Sequence, residues 1–345
     1  MTGEADTLDL DALRTWVAGR LPGFDASLSA QKFAMGQSNP TYRIAAGEHT
    51  YVLRRKPLGN LLKSAHAVER EYRVQAALAQ TDVPVAQVHL LCEDPQVLGA
   101  TFYIMAHVEG RNFIDPRLTE LSPAARHSTV LEMNRVLCAL HEVDVDAVSL
   151  QDFGPPGDYF ARQIARWSAQ YQATETEPLA DMNALMDLLS RHLPPDDGQR
   201  RLVHGDFRID NMIFAPDGGT CLAMLDWELS TLGHPYADLA AVIMQWQLPP
   251  GPEGRGLMGV DRAAAGLVED AAFVDDYCQR RKIPRIENFQ FYLAFSFFRM
   301  AAILQGVLKR ALDGTASNPE KAIKLGAYVP TFASQGLKAL DRTDL

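Results

Sequence analysis

Three polar side chains stand out by type and spacing. Asp206 and Asn211 lie five residues apart in Leu202-Val203-His204-Gly205-Asp206-Phe207-Arg208-Ile209-Asp210-Asn211, and Asp226 follows in Leu225-Asp226-Trp227-Glu228. Two short apolar runs, Asn211–Phe214 and Cys221–Leu225, flank the turn Pro216-Asp217-Gly218-Gly219 and predict a β-hairpin. A hairpin brings its outer ends together, so Asp206, Asn211 and Asp226 can converge. Two carboxylates and an amide oxygen are hard ligands that suit Mg²⁺. A carboxylate left off the metal can accept a hydroxyl proton. A base, a metal site and strong positioning are the equipment of phosphoryl transfer. The same segments also offer His204, Asp206, Asp226 and His234, a set that would ligate a transition metal and serve a hydrolase.

Those residues need a scaffold, and the chain pattern supplies one. Thr7, Asp9 and Asp11 start a helix that Pro22-Gly23 ends. From about Leu28 to Val108 the pattern is β-β-β-α-β-β. Tyr42 and Ile44 alternate with polar neighbours, Ala46-Gly47-Glu48 turns, and Tyr51-Val52-Leu53 returns; a helix spans about Ser64 to Gln80, and strands run from Pro84 and from Thr101. Arg54 and Lys56 share one strand face and Arg55 points away. On the helix, Val68, Tyr72, Gln75 and Ala79 form a stripe with Glu71 on it, while Glu69 and Arg73 form an i, i+4 pair. An inward acid wants a cation, and Arg54 is the natural partner.

Beyond Gly110 the pattern is mainly helical. Ser122-Pro123 opens a helix to His141, and further helices are predicted near 157–172, 179–192, 235–247, 265–280, 287–311 and 319–339. Three Pro and four Gly in residues 249–260 mark a loop. The division is a helical extension, 1–26, a small lobe, 27–108, and a large lobe, 109–345. The small lobe carries eight basic and six acidic side chains against 23 and 32 in the large lobe, which suits an anionic nucleotide beside metal-binding carboxylates.

His204-Gly205-Asp206-x-x-x-x-Asn211 followed by Asp226-Trp227 resembles the aminoglycoside phosphotransferase and choline kinase superfamily. Tyr51-Val52-Leu53-Arg54-Arg55-Lys56-Pro57 and the run from Leu225 to Ala240 resemble one branch of it, the kinase domains associated with acyl-CoA dehydrogenases. The resemblance implies an α+β, two-lobed, protein-kinase-like fold: a small antiparallel β lobe with one helix and a large, mainly helical lobe. It implies an ATP- and Mg²⁺-dependent phosphotransferase. Asp206 would be the base, with Arg208 near the transferred group; Asn211 and Asp226 would bind Mg²⁺, and His204 and Asp238 would hold the loop. Gly36, Ser38 and Asn39 stand where the phosphate-covering loop belongs. Arg54 stands where the family usually has a Lys on the phosphates, with Glu71 as its partner. The backbone of Ala106 and Val108 would meet adenine at an interlobe hinge. Arg54 and the single Gly of that loop also motivate a non-catalytic nucleotide binder.

The whole chain has 345 residues and a net charge of −10, which argues against nucleic acid or an anionic membrane as partner. Four cysteines at 92, 138, 221 and 278 form no CxxC pair. The N-terminus lacks a signal-peptide pattern, so a cytoplasmic protein is expected. The apolar stretch Phe289–Leu308 carries Arg299 and reads as a buried helix, not a membrane span. The expected partner is a small hydroxyl acceptor. Residues near Pro249–Ala264 and the 287–311 helix, with Trp246, Leu248, Leu257, Met258, Tyr292 and Phe295, are expected to line its pocket. That apolar inventory favours a hydroxyacyl compound such as a hydroxyacyl-CoA over an aminoglycoside or amino alcohol.

Overall fold

A computed structural model describes residues 8–24, 27–33, 39–59, 66–251, 254–316 and 318–342. Gly36 and Ser38 lie outside the described residues. The chain opens with α1 (Leu10–Val17), whose N-cap Asp9 accepts from the Asp11 and Ala12 N–H groups. Next come β1 (Leu28–Lys32), β2 (Thr41–Ala46), β3 (His49–Arg55), α2 (Val68–Leu78), β4 (Val88–Cys92), a turn of helix α3 (Pro95–Leu98) and β5 (Phe102–Ala106). The five strands form one antiparallel sheet in the order β1-β2-β3-β5-β4. Alternation along β2 buries Tyr42, Ile44 and Ala46 on one face, against Leu13, Val17 and Phe24. Val52, Tyr103 and Met105 bury the other face with Val68 of α2.

The remainder is mainly helical. Two-residue β6 (Arg111–Asn112) leads to α4 (Pro123–His141), α5 (Tyr159–Thr174) and α6 (Ala180–Arg191). Then come β7 (Arg201–Val203), β8 (Met212–Phe214), β9 (Cys221–Met224) and β10 (Thr231–Gly233). The predicted hairpin is β8–β9, widened by β6 on its outer edge, and β7 pairs with β10 beside it. The very short β6, β7 and β10 leave no readable alternation in the sequence. The C-terminal part holds α7 (Tyr236–Trp246), α8 (Arg262–Ala265), α9 (Asp270–Arg281), α10 (Phe289–Leu312), α11 (Pro319–Gly326) and α12 (Val329–Leu340).

Two expected helices are broken. The 265–280 segment is split because Gly266 adopts φ +73° against Pro123, where a Cβ would meet the Pro123 carbonyl oxygen at 2.4 Å. The 319–339 segment divides at Ala327-Tyr328, and Pro330 sits in the first turn of α12. Helix α10 is the one helix among the described residues long and apolar enough to cross a membrane, and 72% of its apolar window is buried within the fold. It is the central post of the large lobe, packed on α5, α7, α11 and α12. Arg299, inside this helix, donates to the Gly205 carbonyl at 3.1 Å and lies over the Trp167 ring.

Candidate active site

The loop between β7 and β8 is fixed from beneath by a buried carboxylate. Asp238, in the first turn of α7, accepts from the His204 N–H at 2.6 Å and the Gly205 N–H at 2.9 Å. Burial alone would raise the Asp238 pKa, but hydrogen bonds from His141 and the His204 N–H hold it below the usual carboxylate range. His141 Nε2 lies 3.5 Å from Asp238, and its Nδ1 meets the Tyr277 hydroxyl at 2.8 Å. Burial keeps His141 neutral by lowering its pKa. Gly205 takes φ +81°, and a Cβ there would meet the Leu229 carbonyl oxygen at 2.6 Å. This position requires glycine.

His204 is a strut. Its Nε2 faces the Leu225 carbonyl at 2.9 Å, and its Nδ1 accepts from the Asp206 N–H at 3.3 Å. His234 is turned to Asp197, 3.3 Å away, and stacks on Tyr292. Both imidazoles are thus engaged away from Asp206 and Asp226, and among the described residues no cluster of three or more His, Cys, Asp or Glu side chains could hold a metal ion. The hydrolase arrangement is not formed.

The three polar residues do converge. The Asn211 amide donates to the Asp206 carbonyl at 2.9 Å and to its carboxylate at 3.0 Å. The Leu225 N–H donates to the Asn211 carbonyl at 2.8 Å, which places Asp226 beside the pair. Asp226 has φ +63°, a left-handed conformation that aspartate tolerates better than most residues. With its NH₂ spent on Asp206, Asn211 presents its amide oxygen as a hard donor. One amide oxygen and one carboxylate, partly open to solvent, fit Mg²⁺, which takes few protein ligands and completes its shell with water and phosphate.

Arg54 reaches this group from the small lobe. Its guanidinium meets Glu71 at 2.8 Å, Asp226 at 2.6 Å and Glu228 at 3.9 Å. Burial opposes its charge, but Glu71, Asp226 and Glu228 hold it more firmly protonated than usual. Burial also pushes the Glu71 carboxyl up to about 7, against the pull of Arg54 and helped by the negative charge of Asp226 and Glu228. One cation among three carboxylates leaves this corner electronegative, a second reason that it suits a divalent cation.

Several expectations are corrected. The buried side of α2 is Val68, Glu71, Val74, Gln75 and Leu78, so Ala79 lies outside and Tyr72 is only half-buried. The Glu69–Arg73 pair does not form: Lys56 takes Glu69 at 2.7 Å, and Arg73 reaches across to Asp152. Asn39 turns inward instead of toward phosphate. Its amide donates to Glu71 at 2.8 Å and its oxygen lies 3.0 Å from His66 Nδ1. The sequence reading missed this role because the contact spans 32 residues. The Ala106 N–H is committed to the Gln87 carbonyl at 2.8 Å, and Val108 is half-buried.

Arg208, expected near the transferred group, turns to a neighbouring carboxylate. Arg208 donates to Asp210 at 2.9 Å, and its Nε lies 3.6 Å from Asp206. A shallow cleft of about 20 Å³, open to solvent, adjoins them, walled by Ile114, Met133, Phe207, Val242 and Trp246 and reached by Arg255. Trp246 and Arg255 of the 249–260 loop line this cleft, whereas Leu248, Leu257 and Met258 do not. The 287–311 helix does not: Tyr292 and Phe295 pack around Phe160 in an aromatic core cluster.

The sequence and the fold are matched in known proteins. The model of the phosphotransferase enzyme family (APH) matches residues 29–277. A crystal structure from Ralstonia eutropha JMP134, provisionally described as an aminoglycoside phosphotransferase, is 46% identical, with a TM-score of 0.89 over 97% of this chain and 99% of that one. A thermostable mutant of an aminoglycoside phosphotransferase, in ternary complex with AMP-PNP and hygromycin B, has the same fold at 16% identity and a TM-score of 0.62, over 96% and 99% of the two chains. Mouse acyl-CoA dehydrogenase family member 10 is 46% identical over 89% of this chain and 29% of its own length; chicken family member 11 is 41% identical over 97% and 44%. The chain thus spans less than half the length of these curated relatives. Its two-lobed α+β architecture is that of the kinase-like fold. The chain belongs to the phosphotransferase enzyme family.

Proposed function

We propose that this chain moves the γ-phosphoryl group of ATP, bound with Mg²⁺ between the lobes, to the hydroxyl of a small hydroxyacyl compound, a hydroxyacyl-CoA in particular. The observation that carries this reading is the meeting of Asp206, Asn211 and Asp226 with Arg54 from the opposite lobe. Mg²⁺, held by Asn211 and Asp226, would supply charge neutralisation at the phosphate oxygens. Asp206 takes the acceptor's hydroxyl proton as the new O–P bond forms and ADP departs with the electron pair of the broken bond. Arg54 grips the phosphates, and Glu71 with Asn39 sets its direction. By the family resemblance, Gly36 and Ser38 would contact the phosphates, and the backbone of Ala106 and Val108 would meet adenine.

The acyl preference is supported by the mostly apolar lining of the shallow cleft beside Phe207, the residue that follows Asp206. Relatives named as acyl-CoA dehydrogenase family members carry the same domain within a longer chain, which supports an acyl acceptor. The test is ADP release with ATP, Mg²⁺ and matched panels of hydroxyacyl-CoAs, aminoglycosides and amino alcohols. Turnover with hydroxyacyl-CoAs is expected. Efficient transfer to aminoglycosides with none to hydroxyacyl compounds refutes the acyl preference, and no transfer to any hydroxyl refutes the reading itself.

A further inference from the structure

Asp238 holds the Asp206 loop, and the polar groups behind Asp238 run in one chain to α9, a helix that the phosphotransfer reading does not use. His141, the last residue of α4, and Tyr277 of α9 are fully buried. His141 Nε2 is buried without a closer hydrogen bond, and it faces the Asp238 carboxylate at 3.5 Å. Its Nδ1 lies 2.8 Å from the Tyr277 hydroxyl, and Arg281 donates to that hydroxyl at 2.6 Å. The two helices are also pinned to each other, because the Asn134 amide donates to the Phe273 carbonyl at 2.7 Å. Tyr277 is therefore held against His141 by more than its own hydroxyl.

What each group can give decides the direction of each bond. A guanidinium has donors only, so the Tyr277 oxygen accepts from Arg281. The single phenolic hydrogen is then left for His141 Nδ1. Burial keeps the imidazole neutral, so the ring carries one N–H. With Nδ1 accepting from Tyr277, that hydrogen sits on Nε2 and faces a carboxylate, which only accepts. The opposite tautomer turns the Nε2 lone pair onto Asp238 and leaves the Tyr277 O–H with no acceptor. In a buried site of low dielectric, both faults are costly.

We infer that Tyr277 and Arg281 are positioning residues for the catalytic loop: they fix His141 as the Nε2–H tautomer and so keep Asp238 turned to the loop. Asp238 in turn accepts from the His204 and Gly205 N–H groups at 2.6 and 2.9 Å, and the next residue is Asp206. The influence of α9 on Asp206 runs entirely through Asp238. Without the Tyr277 hydroxyl, Nδ1 loses its donor and the opposite tautomer becomes accessible. Its lone pair repels the Asp238 carboxylate, and the two bonds to the loop slacken. Asp206 is then presented less well to the acceptor hydroxyl. Arg54, Glu71 and Asp226 are held by contacts of their own and keep their grip on the nucleotide side.

The inference rests on the phosphotransfer reading for its link to catalysis, and the experiment separates the two. Nitrogen NMR of the wild-type chain, labelled at histidine, reads the His141 tautomer directly, with its signal assigned by the shift it undergoes in Tyr277→Phe. The Nε2–H ring is expected, and an Nδ1–H or doubly protonated ring at neutral pH overturns the inference. Tyr277→Phe keeps the aromatic ring and removes only the hydroxyl. It should lower kcat for the best hydroxyacyl-CoA acceptor about 3- to 10-fold, the scale of one hydrogen bond, and leave KM for MgATP within about twofold. Amide hydrogen exchange should quicken at His204 and Gly205 and stay unchanged along α9. Arg281→Lys, which keeps a charged donor, should lose less activity than Arg281→Met. Unchanged kcat and unchanged exchange at His204 and Gly205 in Tyr277→Phe overturn the inference. So does exchange that quickens throughout the large lobe with kcat kept, the mark of a hydroxyl that only adds stability. A wild-type chain that has the Nε2–H ring yet transfers no phosphoryl group refutes the phosphotransfer reading, and exchange at His204 and Gly205 then decides the anchoring of the loop by itself.

Discussion

Replacement of Arg54 by Met tests the small-lobe half of the site through stability, independently of any acceptor. Arg54 and Glu71 meet at 2.8 Å, with 11% and 1% of their side chains exposed. At an effective dielectric constant near 20, their attraction is about 6 kcal/mol before desolvation is subtracted. Removing one partner of such a pair costs about 3–5 kcal/mol, since the other charge stays buried. Arg54→Met should lose that much in denaturant unfolding. Glu71→Gln should cost only about 1–2 kcal/mol, the scale of a hydrogen bond, because Arg54 keeps Asp226 and Glu228. The double variant leaves no buried charge stranded, so it should be more stable than the sum of the single losses by about 2 kcal/mol. The sign of the pH dependence follows from Glu71. Its folded-state pKa, about 7, lies above the ordinary 4.5, so the folded chain holds a proton there that the unfolded chain gives up. Stability from this group is greatest below the ordinary value and declines as pH rises toward the folded one. Without Arg54 the folded value climbs further, so the deficit of Arg54→Met should widen above pH 7 by up to about 1.4 kcal/mol per pH unit. A deficit constant from pH 6 to 8.5, or single losses that add within about 0.5 kcal/mol, would refute the coupling.

Asp206→Asn should keep its fold and its nucleotide affinity and lose transfer by about 10²- to 10⁴-fold, the scale of a general base, as read in single-turnover assays. Asp226→Ala should abolish the Mg²⁺ dependence of nucleotide binding in titration calorimetry, and unchanged affinity with and without Mg²⁺ would count against the ligand role. Gly205→Ala should disorder the Asp206 loop, since the new Cβ meets a carbonyl oxygen at 2.6 Å, and should lower kcat more than nucleotide affinity. The four cysteines are all buried, and burial pushes the Cys138 and Cys221 thiols up to about 12; a thiolate-selective reagent should label them only on unfolding, and rapid labelling of the native chain would contradict the packing.

Much of this site was legible because its parts are local. Asp206, Asn211 and Asp226 lie on one hairpin, so spacing and turn chemistry were enough to bring them together. Arg54 with Glu71 was legible for a different reason: strand and helix periodicities put both charges on inward faces, and two buried charges of opposite sign have few alternatives. Asn39 shows where this logic stops. Its side chain resembles a phosphate contact by position, yet its bonds go to Glu71 and His66, a choice made by tertiary packing. Helix α2 failed for a related reason. A period-3.6 stripe can be drawn through Tyr72 and Ala79 or through Val74 and Leu78, and only the lobe beneath decides between them.

The acceptor wall shows the same limit with more at stake. Tyr292 and Phe295 looked available for ligand contact, but a long buried helix satisfies its aromatics within the core before any face is left for substrate. Arg255 carried no sequence signal at all: it sits in a Gly- and Pro-rich loop, and its importance comes from a left-handed backbone that aims it at Asp210. Overall charge is a blunt guide here, since the acidic large lobe still pairs Asp206 and Asp210 with Arg208 and Arg255 beside the cleft. Local geometry outweighs the lobe average there because screening confines charge effects to roughly 10 Å at ordinary ionic strength. If the acceptor enters beside this cleft, the few groups there decide its preference, so substitution of Arg255 should change acceptor preference more than an equal change of charge elsewhere on the lobe, and unchanged preference in Arg255→Gln would refute that placement.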